Sequence, residues 1–259
     1  MRADIFLHTA GLAKSRSHAA SLIRDGVTLD GRRIEKPSSD IAENTDPARI
    51  CLEKPQRYVS RGGIKLEAAL DAFSLSATGR TAVDIGASTG GFTDCLLQHG
   101  AARVFAVDVG HGQFDETLRH DPRVVCMEGV NARTLTAEMF YAPVTLAVSD
   151  LSFISQALIY PAVMRTLAPG CEFVSLIKPQ FEAGKGAVGK GGIVRDRTVH
   201  LAVIENLFRA AKAAALYPEA LAVSPITGGD GNREYLALFR AGEVRVDASI
   251  DIRKIVFGT

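Results

Sequence analysis

Apolar and polar positions along the 259-residue chain follow two rhythms. In the first part, ADIFLHTAGL (3–12) and SRSHAASLIRDG (15–26) space apolar residues three and four apart, the period of a helix buried on one face. Ser15 or Ser17 can cap the second of these helices and Gly26 can end it. VTLDGRRIEKPSSDI then reads as strand, turn and strand about Asp30-Gly31, a pair suited to a hairpin turn. These elements predict a small α+β domain.

EKPQRYVSRGG (53–63) combines proline, charge and glycine and marks the expected boundary. It divides a first domain over 1–54 from a linker over 55–61 and a second domain over 62–259. In the second domain, TAVDIG, RVFAVDVG, RVVCMEG, VTLAVSD, EFVSLIK, PEALAVSPI and EYLALFRA are strand-like runs. The helical patterns IKLEAALDAF, FTDCLLQHG, ISQALIYPAVMRTLA and VHLAVIENLFRAAKAA accompany them. Such alternation predicts an α/β fold, a mostly parallel sheet covered on both faces. TGGDGNR joins the last two strands without a helix, so these two are expected to form an antiparallel hairpin.

Composition narrows the class. With 47% hydrophobic residues the chain can build a core without staples. Cys51, Cys95, Cys126 and Cys171 lie far apart with no C-x-x-C pair, which argues against a zinc site and a disulfide framework and fits a reducing cytoplasm. No window approaches the roughly 18 apolar residues of a membrane helix, and the N-terminus lacks the apolar centre of a signal peptide. A soluble protein with no membrane partner is expected. The net charge of +1 conceals +3 over residues 1–61 and −2 over the remainder. In the first domain Arg2, Lys14, Ser15, Arg16, Arg24, Arg32 and Arg33 gather around the helix ends and the turn, where they can meet a phosphate backbone. Few aromatic residues accompany them, so base stacking is not the expected mode there.

VDIGASTGGFTD (83–94) reads as a strand end, a glycine turn and a helix start. Ser88 breaks the G-x-G-x-x-G dinucleotide pattern, and Phe92 stands where a P-loop needs lysine. What remains is Asp84 at a strand end, a turn in which Gly86, Gly90 and Gly91 allow close approach of the backbone, and Asp108 at the end of the next strand, able to accept both hydroxyls of a ribose. Glycine-rich turns of this kind also serve other nucleotides or only structure. The combination resembles the S-adenosylmethionine site of class I methyltransferases, and the resemblance implies cofactor contacts at Asp84, Gly86, Ser88, Gly90, Gly91, Phe92 and Asp108. GKGAVGKG (184–191) nearly matches a P-loop, but Gly191 replaces the hydroxyl and no helix pattern follows directly, so a flexible loop near the substrate entrance is expected.

Lys65, Asp150, Lys178 and Glu234 carry the candidate chemistry. Asp150 and Lys178 end strand-like runs, and ligands of open α/β sheets bind at the carboxyl ends of strands. Each residue also has a structural reading, as a helix cap, a strand end or a solvated charge. Together the four resemble the Lys-Asp-Lys-Glu tetrad of FtsJ/RrmJ-type ribose 2′-O-methyltransferases. YVSRGGIKLEAAL, SDLSFIS, LIKPQFE and GNREYL resemble segments of the TlyA family, in which an alpha-L (S4) RNA-binding motif precedes such a methyltransferase. In the first domain the motif is matched at Leu12, Ser15, Arg16, Ala19, Ile23, Gly26, Val27 and Gly31.

The resemblance implies a Rossmann-like class I fold with a seven-stranded, mostly parallel sheet, S-adenosylmethionine as cofactor, no metal, and methylation of a ribose 2′-hydroxyl of ribosomal RNA, most often at cytidine. It implies ribosomal RNA or ribosomal subunits as partner. A lysine serves as base only when its pKa is lowered, which a second ammonium nearby favours and the carboxylates oppose; Lys178 is the expected base, with Lys65 beside it. Two other readings stay open on sequence: a membrane-active haemolysin-like protein, and a non-catalytic RNA-binding protein with a methyltransferase fold.

Overall fold

The computed structural model describes residues 1–13, 15–52, 57–228, 231–242 and 249–258, apart from the side chains of Ser17, Asp25 and Lys185. Lys14, the first four residues of the junction (53–56) and the side chain of Ser17 therefore lie outside the described residues. The chain forms two compact units, Met1–Ser60 and Arg61–Thr259.

The first unit contains α1 (Ala3–Thr9), α2 (Arg16–Gly26), β1 (Val27–Leu29), β2 (Arg32–Arg33) and β3 (Ile50–Leu52). Ser15 caps α2 by accepting from the His18 amide at 3.1 Å. Asp30 and Gly31 both have positive φ, 51° and 77°, as a two-residue hairpin turn requires, and β1 pairs antiparallel with β2. Phe6, Leu7, Leu22, Ile23 and Val27 close the small core. Strand β3 extends the sheet in the order β2-β1-β3. The sequence pattern does not predict it, because three residues, two of them exposed, carry no period.

The second unit begins with α3 (Gly62–Ala72), followed by β4 (Thr81–Ile85), α4 (Gly91–Gln98), β5 (Arg103–Asp108), α5 (Glu116–Arg119), β6 (Val124–Glu128) and β7 (Val144–Ser149). Then come α6 (Tyr160–Thr166), β8 (Leu167–Ile177), α7 (Pro179–Glu182), α8 (Arg197–Ala213), β9 (Leu216–Val223), β10 (Tyr235–Ala241) and α9 (Ile252–Phe257). The seven strands β4–β10 form one sheet in the order β6-β5-β4-β7-β8-β10-β9. All pairs from β6 to β8 are parallel, while β10 runs antiparallel to both β8 and β9. The predicted seven strands and terminal hairpin are all present. Tyr160, Phe173 and Phe239 pack ring on ring at the centre of the larger core, one pair edge to face, one tilted and one stacked.

One helix differs from expectation. The pattern over 154–168 forms a 3₁₀ turn at Gln156–Leu158, then the short α6, and its last residues enter β8. Pro161 has no amide hydrogen to donate and restrains the residue before it, so it fits only the first turn of a new helix. Leu167 pairs with Val144, which draws the end of the pattern into the sheet.

The near P-loop holds a 3₁₀ turn at Lys185–Ala187, and the next helix, α8, starts only at Arg197. Among the described residues, no helix is long and apolar enough to cross a membrane, and no group of three or more His, Cys, Asp or Glu side chains is placed to hold a metal ion.

Candidate active site

The sheet order reverses direction between β4 and β7, and the glycine turn lies at that point, beyond the carboxyl end of β4. Gly86 has φ 84°, and a Cβ there would lie 2.8 Å from Leu151 Cδ2 and 2.9 Å from the Asp150 carbonyl oxygen. Only glycine lets the loop after β7 come this close. Ser88 has φ 50°, and its amide donates to Asp108 Oδ2 at 2.8 Å; the Gly110 amide donates to Oδ1 at 2.7 Å. Asp108 is thereby fixed beside the turn.

Asp84 lies beneath the turn. It is fully buried, and its Oδ2 accepts from Thr93 Oγ1 of α4 at 2.7 Å, while Oδ1 has no hydrogen-bond partner among the described residues. Burial pushes its pKa up to about 7, the charges of Asp150 and Asp108 act in the same direction, and the Thr93 bond opposes them.

A cleft of about 490 Å³ opens beside the turn, lined by Gly86, Ser88, Asp108, Gln113, Asn131 and residues 150–154, among others. Asp84, Gly90, Gly91 and Phe92 do not line it. Phe92 is 3% exposed, with its ring in the core, and Gly90 is the left-handed N-cap of α4. These four reach the cleft only through the turn that they support. Gln113, Asn131 and Phe153 line the cleft and are not anticipated from sequence. Phe153 could have been suspected only from its backbone: it has φ 65°, uncommon for a bulky residue, and is 90% exposed.

The four charged residues form two ion pairs. Lys65 Nζ donates to Glu234 Oε2 at 2.5 Å, and both side chains are buried. Lys178 Nζ lies 2.5 Å from Asp150 Oδ1, at angles that miss those of a hydrogen bond, and donates to Ser152 Oγ at 2.9 Å. The register brings them to one end of the sheet. Ile85 pairs with Ser149 and Tyr235 with Ile177, so Gly86, Asp150, Lys178 and Glu234 follow at the ends of adjacent strands. The expectation from sequence set a second ammonium beside the base with the two carboxylates orienting the lysines; in the structure each lysine is matched with one carboxylate.

The chain on either side of Glu234 is held from several directions. The Glu234 carboxylate fills space that Gly228 leaves open, since a Cβ there would lie 2.5 Å from Oε1. Arg61 donates to the Thr227 carbonyl at 2.9 Å. Asn232 accepts from the Val194 amide at 3.0 Å and donates to the Gly192 carbonyl at 2.8 Å. His200 Nε2 lies 2.8 Å from the Val194 carbonyl oxygen, which can only accept, so Nε2 donates and Nδ1 accepts from the Tyr235 hydroxyl at 2.9 Å. Burial lowers the pKa of His200, in keeping with this neutral ring.

In the first unit, Asp4 is buried and accepts from Arg2 Nε at 2.9 Å and from Arg16 Nη2 at 3.1 Å. Hydrogen bonding from Arg2 first, and also from Arg16, holds its pKa at about 2. Arg24, Arg32 and Arg33 are exposed, and Arg33 donates to the Arg24 carbonyl at 3.2 Å. The Ser15 hydroxyl caps α2.

Residues 58–241 match the FtsJ-like methyltransferases and residues 1–46 match the S4 domain. The chain belongs to the FtsJ-like methyltransferase family. This FtsJ-like methyltransferase is 43% identical over 240 residues to the 16S/23S rRNA (cytidine-2′-O)-methyltransferase TlyA of Mycobacterium tuberculosis, covering 92% of this chain and 89% of that one. It is 43% identical to Hemolysin A of Brachyspira hyodysenteriae, covering 92% of this chain and 99% of that one. A solved structure from Streptococcus thermophilus, bearing the name of a candidate hemolysin, superposes with a TM-score of 0.80 at 40% identity and covers 99% of this chain and 94% of its own.

The residues around the cleft fit S-adenosylmethionine: a turn stripped of Cβ atoms at Gly86, an acid at the end of the second parallel strand for ribose hydroxyls, and polar side chains at Gln113 and Asn131 around the same space.

Proposed function

We propose that the protein methylates a ribose 2′-hydroxyl, that of a cytidine, in ribosomal RNA. One observation carries the reading: two lysine–carboxylate pairs stand at the head of the sheet, and Lys178 reaches the cleft of the glycine turn through its partner Asp150, which lines it. S-adenosylmethionine, when bound, supplies an electrophilic methyl group. Asp108 would accept its ribose hydroxyls, and Gly86 and Ser88 would line its path.

The nucleophile must be made from a weakly acidic hydroxyl and aligned. Lys178 Nζ, once neutral, takes that proton, and Asp150 and Ser152 fix where Nζ stands. Lys65 and Glu234 form a second, buried pair at the same end of the sheet, and Gly228 leaves room for the carboxylate. Phe153, at the mouth of the cleft, offers a ring face to an unstacked base, the usual way proteins hold single-stranded RNA.

The RNA-binding domain over 1–54 supplies a second contact, with the linker over 55–61 and the catalytic domain over 62–259. Arg24, Arg32 and Arg33 are placed for phosphates; Arg2 and Arg16 share their charge with Asp4. The reaction belongs in the cytoplasm, where ribosomal RNA is assembled.

The test is incubation with labelled S-adenosylmethionine and unmodified ribosomal subunits, read by nucleoside mass spectrometry, with Lys178→Ala in parallel. A labelled 2′-O-methylcytidine formed by the wild type alone is the expected result. Equal label with Lys178→Ala would remove the base from the scheme, and no label on either subunit would overturn the substrate.

A further inference from the structure

Two segments leave the sheet side by side: residues 149–156, from the last residue of β7 onward, and residues 175–182, from β8 through α7. They are joined along their whole length. At the sheet, Ser149 Oγ donates to Gln156 Oε1 at 3.0 Å, and Gln156 Nε2 donates to the Leu176 carbonyl at 3.2 Å. Next come Lys178 with Asp150 and Ser152, and then the Phe153 and Phe181 rings with centroids 4.9 Å apart. At the far end, both carboxylate oxygens of Glu182 accept: Oε2 from Ser155 Oγ at 2.6 Å and Oε1 from the Gln156 amide at 2.8 Å.

We propose that Glu182 is a positioning residue for methyl transfer, latching the loop that carries Asp150, Ser152 and Phe153 to the segment that carries Lys178. The proposal rests on the reaction assigned above. Among the described residues, the amides of residues 151–155 donate to no backbone carbonyl, so the loop has no ladder of its own. It also keeps Phe153 at φ 65°, a conformation that persists only where the surroundings impose it.

Glu182 supplies the restraint by capping the 3₁₀ turn at Gln156–Leu158, whose next amide, that of Ala157, donates to Ser155 Oγ at 3.2 Å. Burial pushes the Glu182 pKa up, against the two bonds it accepts, so a charge stands here at a desolvation cost. Glu182 does not line the cleft. It acts on the reaction only through the residues that it holds.

The chain contains no tryptophan, so Phe181→Trp gives a single reporter under the Phe153 ring. Acrylamide quenching and emission are read in Phe181→Trp alone, and with Glu182→Gln or Glu182→Ala added, without cofactor or RNA. The expected result is a higher quenching constant and a red-shifted emission in both double variants, larger for alanine, because glutamine keeps one acceptor. In the otherwise native chain, the single-turnover rate of methyl transfer at saturating cofactor and RNA should fall roughly 10- to 100-fold with Glu182→Ala, as for a displaced catalytic group.

An unchanged reporter, or an unchanged rate beside a moved reporter, overturns the proposal. If Glu182→Ala does not fold, Glu182→Gln carries the same test. The fluorescence readout does not depend on catalysis: a wild-type chain with no methyl transfer and a moved reporter would defeat the assigned reaction, while the latch itself would stand.

Discussion

Lys65 and Glu234 are 169 positions apart in the chain and 2.5 Å apart in the fold, in a buried ion pair joining the first helix of the larger unit to its last strand. Removing one partner leaves a buried charge unanswered. Lys65→Met or Glu234→Gln should each cost about 3–5 kcal/mol of stability, while Lys65→Met with Glu234→Met should recover much of that loss. All three should fail to methylate RNA. Urea unfolding together with the methylation assay separates the structural cost from the chemical one; a stable, active double variant would show that the pair serves folding alone.

Gly228→Ala should disturb the same pair from the other side. The added Cβ meets Glu234 Oε1 at 2.5 Å, and Glu234 is 2% exposed with little room to retreat. A stability loss of about 1–3 kcal/mol is expected from overpacking, with a larger relative loss of activity. Gly186→Ala is the control: a Cβ there meets nothing within 4 Å, and stability should stay within about 0.5 kcal/mol of wild type. Equal activity in the two variants would show that the space beside Glu234 is immaterial.

Asp84 should leave a signature in the pH dependence of stability. Its folded-state pKa of about 7 stands above the ordinary 3.8. The folded state therefore holds the extra proton between these values, so this contribution to stability is complete below about pH 4 and is lost as pH rises through about 7. The slope is at most roughly 1.4 kcal/mol per pH unit. Asp84→Asn should flatten the curve over that window, as read from urea midpoints at pH 4 to 8. Parallel curves for the two proteins would mean that Asp84 is ionised throughout.

Arg24, Arg32 and Arg33 should govern affinity for RNA rather than catalysis. Replacing Arg24 and Arg32 with alanine should weaken binding to ribosomal RNA and lower the salt slope of log K by about 0.7–0.9 for each phosphate no longer neutralised by an arginine. Arg16→Ala should behave differently, because Arg16 also bonds the buried Asp4, and should lower the stability of the first unit as well. Filter binding at several salt concentrations, with thermal unfolding alongside, checks both. An unchanged slope in the double variant would move the RNA-binding role to another surface.

The seven strands and the closing hairpin were legible because buried parallel strands appear as short apolar runs between turns, and TGGDGNR leaves no length for a crossover helix. The helix expected over 154–168 does not form as one piece: its apolar spacing is helical, while Pro161 and the pairing of Leu167 with Val144 decide against it. Periodicity could not show that Asp84 lies wholly inside, since an acid within an apolar strand reads the same whether it meets a cleft or a hydroxyl beneath it. Nor could it match the tetrad into pairs: partners such as Lys65 and Glu234 are chosen by the sheet register, which no local pattern carries. Phe153 was hidden for a related reason. A lone phenylalanine in SDLSFIS looks like core, and only its left-handed backbone turns it outward.

The position of β10 between β8 and β9 bears on how the protein comes into being. A chain leaving the ribosome completes β8 and β9 before the strand that must lie between them exists. Until that strand arrives, the two have no partner in each other, and the Lys65 ammonium has no counter-charge from Glu234. Sheet closure and assembly of the charged site are thus one late event, which ties the onset of activity to the arrival of β10.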